Sequence, residues 1–199
     1  MPASMSCAKA IAMAHAKAIA IAGANLTVIA AFALCAPAHA QHATPYAGED
    51  ARAIKSLSDE EVQQYLSGAG MGYAKAAELN QYPGPMHALE LAETLELTPQ
   101  QRRRTETLMQ AHKNEARALG HKVVDAERAL DALFRSGRVS EADLGARVRA
   151  VAAAQGEYRL SHLETHRRMK ALLTPEQVAS YDRLRGYQQT PGPARHEGH

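Results

Sequence analysis

LTPQQRRRTETLMQAHKNEARALGHKVVDAERALDALFRSGRVSEADLGARVRAVAAAQGEYRLSHLETHRRMKALLTPEQ, from Leu97 to Gln177, decides the fold. The stretch opens and closes on nearly the same phrase, LTPQQ at Leu97–Gln101 and LTPEQ at Leu173–Gln177. In each phrase a leucine packs ahead of a cap, and Thr98 or Thr174 accepts an orphan amide. Proline takes the first helical position, where a missing N–H costs nothing, and Gln101 or Gln177 completes a capping box. The phrase therefore marks a helix entrance and by itself marks no chemistry. The helix predicted over Pro99–Phe134 carries an apolar seam at His112, Ala116, Leu119, Val123, Ala126, Leu130 and Leu133. After the break RSGRV at Arg135–Val139, Ser140 with Asp143 caps a return helix running to Leu172. Its seam is Leu144, Val148, Val151, Gln155, Tyr158, His162, Thr165, Met169 and Leu172. Steps of four and three present one continuous stripe to a neighbour. The expected fold is all-α, a long antiparallel helical hairpin with short flanking helices. Gly120 weakens the first long helix by about 1 kcal/mol relative to alanine and marks a place for a bend.

Working outward, a last helix is expected from Pro175 to near Gly186, followed by a disordered tail at 188–199 that contains His196 and His199. Upstream, residues 57–85 hold short helices and a Gly/Pro-rich corner. Ser58 with Glu61 reads as a capping box ahead of Val62, Tyr65 and Leu66. SGAGMG at Ser67–Gly72 reads as a flexible turn, since no strand precedes it and no Gly-Lys-Ser/Thr follows. Tyr82-Pro-Gly-Pro fixes a rigid corner before the hairpin domain at 86–187. Residues 41–56 are poor in apolar periodicity and read as a flexible lead-in. The first 40 residues read as an export signal. Lys9 and Lys17 precede the run IAIAGANLTVIAAFALC, and Ala38-His39-Ala40 offers a small-x-small cleavage site. A retained anchor is disfavoured by Asn25 within that run, so no stable membrane insertion is expected once the signal is removed.

Cleavage after Ala40 removes both cysteines, Cys7 and Cys35, and leaves Lys+Arg and Asp+Glu equal at 21 each. No cysteine chemistry survives, and nothing points to nucleic acid. The core is thin: Phe134 is the one phenylalanine left, tryptophan is absent, and alanine is common along the seams. Thin helical layers complete their burial against a partner, so a homodimer is expected. No nucleophile elbow or paired-carboxylate arrangement is present, and an enzyme is not expected. His162 and His166 lie one helical turn apart and face the same way. With His87, they form a candidate metal-ligand set, although two imidazoles on one helix are a weak site alone. Arg102-Arg103-Arg104 and Arg167-Arg168 read as solvated helix faces or, alternatively, as the flanks of a shallow apolar surface that attracts anionic, partly unfolded clients.

The export signal, the helical mature chain and the twin motifs (Leu97, Thr98, Gln101 and Leu173, Thr174, Gln177) together resemble the LTxxQ group of periplasmic proteins. That resemblance spans roughly Met86 to Tyr187. It implies a dimeric, cradle-like hairpin in the periplasm. It further implies either of two roles. One is a Spy- or CpxP-like stress protein that binds unfolded envelope proteins, or a membrane sensor protein, without ATP. The alternative is a ZraP- or CnrX-like sensor or resistance protein binding zinc, copper, nickel or cobalt through helix histidines.

Overall fold

The computed structural model describes residues 45–187. The export-signal and tail readings lie outside the described residues. A 3-10 turn at Glu49–Ala51 leads into helices α1 (Asp59–Ser67), α2 (Lys75–Glu78), α3 (Pro85–Glu90), α4 (Pro99–Arg135), α5 (Glu141–Lys170) and α6 (Pro175–Leu184). The described residues contain no sheet, only an isolated bridge between Ile54 and Leu57. None of the helices among them is long and apolar enough to cross a membrane. α4 and α5 form the antiparallel hairpin, α1 and α3 pack on α4, and α2 packs on α5.

Local rules account for where the elements begin. Ser58, Thr98 and Thr174 each accept a hydrogen bond from the amide three residues on, and the side chain at that third position returns the bond to the cap's own amide. Ser140 likewise accepts from the Asp143 amide. α1 ends at Gly68 in the left-handed region, φ 74°, which glycine adopts without strain.

The two motif glutamines do more than cap. Gln101 Nε2 donates to the Leu172 carbonyl (2.9 Å) and to Gln177 Oε1 (2.7 Å). Gln177 Nε2 donates back to Gln101 Oε1 (3.1 Å) and to the Leu95 carbonyl (3.1 Å). Each side-chain oxygen meanwhile accepts from its own threonine amide, at 2.9 Å and 3.0 Å. The twin phrases thus bond to each other and clamp the two helix entrances at the base of the hairpin.

Two apolar clusters form the core. One gathers Ile54, Leu57, Tyr65, Ala116, Val123, Val124 and Tyr158 beneath α1. Ile54, in the stretch read as a lead-in, is buried within it. The other gathers Ala88, Ala92, Leu95, Leu97, Leu108, Met169 and Tyr181 among α3, α4, α5 and α6. Gly120 has a different role from the one expected. A Cβ there would lie 1.8 Å from the Tyr65 carbonyl oxygen. Ala116 and Gly120, one turn apart, make the shallow track that lets α1 sit backbone-close on α4.

The seams are buried over only part of their length. His112, Ala116 and Val123 on α4, and Tyr158, His162, Thr165 and Met169 on α5, are buried. Farther toward the turn, Leu130, Leu133, Leu144 and Val151 are half-buried, and Val148 is 49 % exposed. The short helices cover only the half of the hairpin near the motifs. Beyond them two helices alone cannot enclose a seam. Phe134, Val139 and Val148 consequently stand among the exposed large apolar side chains.

Candidate functional site

The histidines meet across the hairpin. His112 on α4 and His162 on α5 are each the same number of residues from the turn glycine, Gly137, so an antiparallel hairpin sets them opposite one another. Their ring centroids lie 4.5 Å apart, edge to face. His162 continues into a ring stack with Tyr158 at 4.7 Å, which in turn meets Tyr65 at 5.2 Å and Tyr73 at 5.3 Å. Both imidazoles are at least nine-tenths buried. Within the described residues, His112 Nδ1 and His162 Nε2 have no hydrogen-bond partner.

His112 and His162 line a cleft of about 630 Å³, bounded by the Gly-rich segment after α1, by α2 and by the start of α3. His166 and His87 reach the same cleft, as do Met86 and Met109. His166 Nδ1 donates to the Tyr82 carbonyl (2.7 Å) with Glu78 Oε2 at 3.3 Å, so the lone pair of its neutral form sits on Nε2. His87 Nδ1 is engaged by Glu90 Oε2 at 2.9 Å. Glu78 also accepts from the hydroxyls of Tyr181 and Tyr187, which anchors α2 to the C-terminal helix.

His87, His162 and His166, the residues singled out in the sequence, therefore border one cleft, and His112 joins them. No group of three His, Cys, Asp or Glu side chains among the described residues is gathered closely enough to hold an ion. The seam position of His112 turns it toward the return helix, but helical periodicity does not say which residue it meets there. Counting equal distances from Gly137 would have paired it with His162.

Burial lowers the pKa of both central imidazoles. His162 falls to about 4, first through burial and then through the neighbouring His112 and His166. His112 is lowered by burial and by His166. Since the folded values lie below the unfolded one, the unfolded chain binds protons first. Stability should be full above about pH 6.5, the ordinary imidazole value, and decline as pH falls from there toward 4. For His162 the slope should approach about 1.4 kcal/mol per pH unit, and His112 adds to it with the same sign. Urea unfolding at pH 7.5, 5.5 and 4.5 checks this, and His162→Phe should flatten the profile.

A second concavity lies at the base of the hairpin. Arg103 and Arg104 on α4 and Arg167 and Arg168 on α5 rim a groove of about 500 Å³ that Leu108, Ala111, Ala171 and Leu172 also line. Arg167 makes a two-bond pair with Glu164 at 2.6 and 2.7 Å. Arg102, from the same run, points elsewhere and pairs with Glu93 at 3.2 Å. Arg103, Arg104, Arg167 and Arg168 are all exposed, so they are solvated helix faces that also border this groove.

The described residues form an all-α hairpin clamped at its base by a reciprocal glutamine pair, with open grooves beside it. The family model described as LTXXQ motif family protein matches residues 85–185, just over half of the chain, and the chain belongs to that family. No curated protein matches the chain, and no solved structure does.

Proposed function

We propose that this chain is a periplasmic, ATP-independent holding protein for unfolded envelope proteins or for a partner protein with exposed acidic and apolar side chains. The observation that carries this reading is the groove rimmed by Arg103, Arg104, Arg167 and Arg168 over an apolar floor. Guanidinium groups draw an anionic chain in, and the floor then takes its apolar side chains. Family membership accords with such a role. The exposed Phe134, Val139 and Val148 favour a homodimer, because a second hairpin laid along the outer half would finish their burial.

The purified protein, without ATP, is expected to suppress aggregation of a chemically denatured client at close to one protomer per client. A variant with Arg103, Arg104 and Arg168 changed to glutamate should need about ten times more protein, and raising salt should weaken the wild type in the same direction. Light scattering checks both, and sedimentation of the same samples gives the oligomeric state. Equal protection by wild type and variant would remove the groove from the mechanism. A metal-handling role, with zinc, copper, nickel or cobalt, is favoured by one observation: His112 and His162 meet with unpartnered nitrogens in a cleft that His87 and His166 also border.

A further inference from the structure

Two buried imidazole nitrogens without partners are costly, at roughly 1–3 kcal/mol each, and such atoms ask for a ligand. His112 Nδ1 and His162 Nε2 are of this kind, and they belong to rings in contact from facing helices. Both side chains are at least nine-tenths buried, and a neutral ring nitrogen is the form that donates its lone pair to a metal. Their surroundings discriminate between ions. Zinc in a protein takes four nitrogen, sulfur or oxygen donors, and nickel and cobalt want at least as many. No set of even three His, Cys, Asp or Glu side chains is gathered among the described residues. Glu78, the carboxylate bordering the cleft, is already held by two tyrosine hydroxyls and by His166. The donor set does not fit a divalent ion.

Thioethers are what the cleft adds. Met109 precedes His112 by three residues on α4, which puts the two on one face of the helix, and both line the cleft. Neutral imidazole with a thioether is a soft set. Monovalent copper is satisfied by two or three such donors, whereas a divalent ion is left short. We infer that His112, His162 and Met109 form a binding site for monovalent copper, reached through the cleft beneath the Gly-rich segment. His166 borders the same cleft, its Nδ1 held by the Tyr82 carbonyl, but is not gathered into the set. The inference narrows the metal-handling reading and does not depend on client holding. His87, bound to Glu90, is outside the set.

The test is an anaerobic titration of the purified protein with Cu(I) against a chromogenic chelator, with parallel titrations of Zn(II), Ni(II) and Co(II). One tightly held Cu(I) per chain is expected, with X-ray absorption showing nitrogen and one sulfur at the metal. His112→Ala and His162→Ala should weaken Cu(I) about 100-fold and Met109→Leu about tenfold, as befits losing one donor from a small set. Met109→Leu conserves volume, so its fold is kept even where a histidine variant unfolds. A variant lacking His196 and His199 should bind as the wild type does. Undiminished binding in Met109→Leu with no sulfur at the metal overturns the site, as does loss of binding in the tail variant. Zn(II), Ni(II) or Co(II) held more tightly than Cu(I) at these histidines overturns the inference and leaves the broader metal reading standing. If no ion binds, both fall.

Discussion

Gly120→Ala is expected to destabilise the protein by about 2–3 kcal/mol, an overpacking cost, although helix propensity alone would make it stabilising by about 1 kcal/mol. The two effects have opposite signs, so the experiment is decisive. The added Cβ would lie 1.8 Å from the carbonyl oxygen of Tyr65 and 2.6 Å from its carbonyl carbon. The obstruction is backbone, which cannot swing away as a side-chain tip can. α1 must therefore lift from α4, loosening Tyr65 from Tyr158 and uncovering Val123 and Val124. Urea denaturation measures the loss, and near-ultraviolet dichroism of the tyrosine cluster reports the displaced helix. A more stable Gly120→Ala protein would mean that α1 does not dock there.

Gln101→Glu should cost about 3 kcal/mol at neutral pH. As a capping box, glutamate and glutamine are equivalent, because the box uses only the side-chain oxygen. The clamp needs the other half of the amide. Gln101 Nε2 donates to the Leu172 carbonyl and to Gln177 Oε1, and a carboxylate would turn lone pairs toward both acceptors. The folded state accordingly raises the new carboxyl's pKa, so the deficit relative to wild type should shrink as pH falls through the carboxylate range and the protonated acid donates again. Gln101→Ala and Gln177→Ala combined in a double-mutant cycle should show a coupling of about 1 kcal/mol or more. A Gln101→Glu protein as stable as wild type would reduce the motif to two independent caps.

These two positions mark where reading by local rule succeeds and where it stops. Thr98, Pro99 and Gln101 announce a helix start because a cap closes within four residues, and Ser58 with Glu61 does the same for α1. The four-three spacing of His112, Ala116, Leu119 and Val123 fixes a face because the α-helix has one period wherever it occurs. The turn at Gly137 makes the neighbour antiparallel. Hence the all-α hairpin and its helix entrances were legible, as was the gathering of histidines along α5.

The rest depended on which distant segments meet. Gln101 and Gln177 are 76 residues apart, and nothing within either phrase says that its amide faces the other. Gly120 reads as a weak point until Tyr65 is brought against it. His112 reads as a seam residue turned toward the return helix, but only the fold names His162 as what it meets, and Met109 gains a chemical meaning only beside that pair. Arg103, Arg104, Arg167 and Arg168 form a rim only because the hairpin folds back over an apolar floor. The sequence by itself determined the helices, their caps and their faces, since those follow from hydrogen bonds and periodicity over a few residues. The tertiary structure alone decided the glutamine clamp, the backbone-close seat of α1, and the cleft and groove in which function is placed. Each of these is a meeting of side chains from separate helices, and helical periodicity carries no information about which turn of one rod lies against which turn of the next.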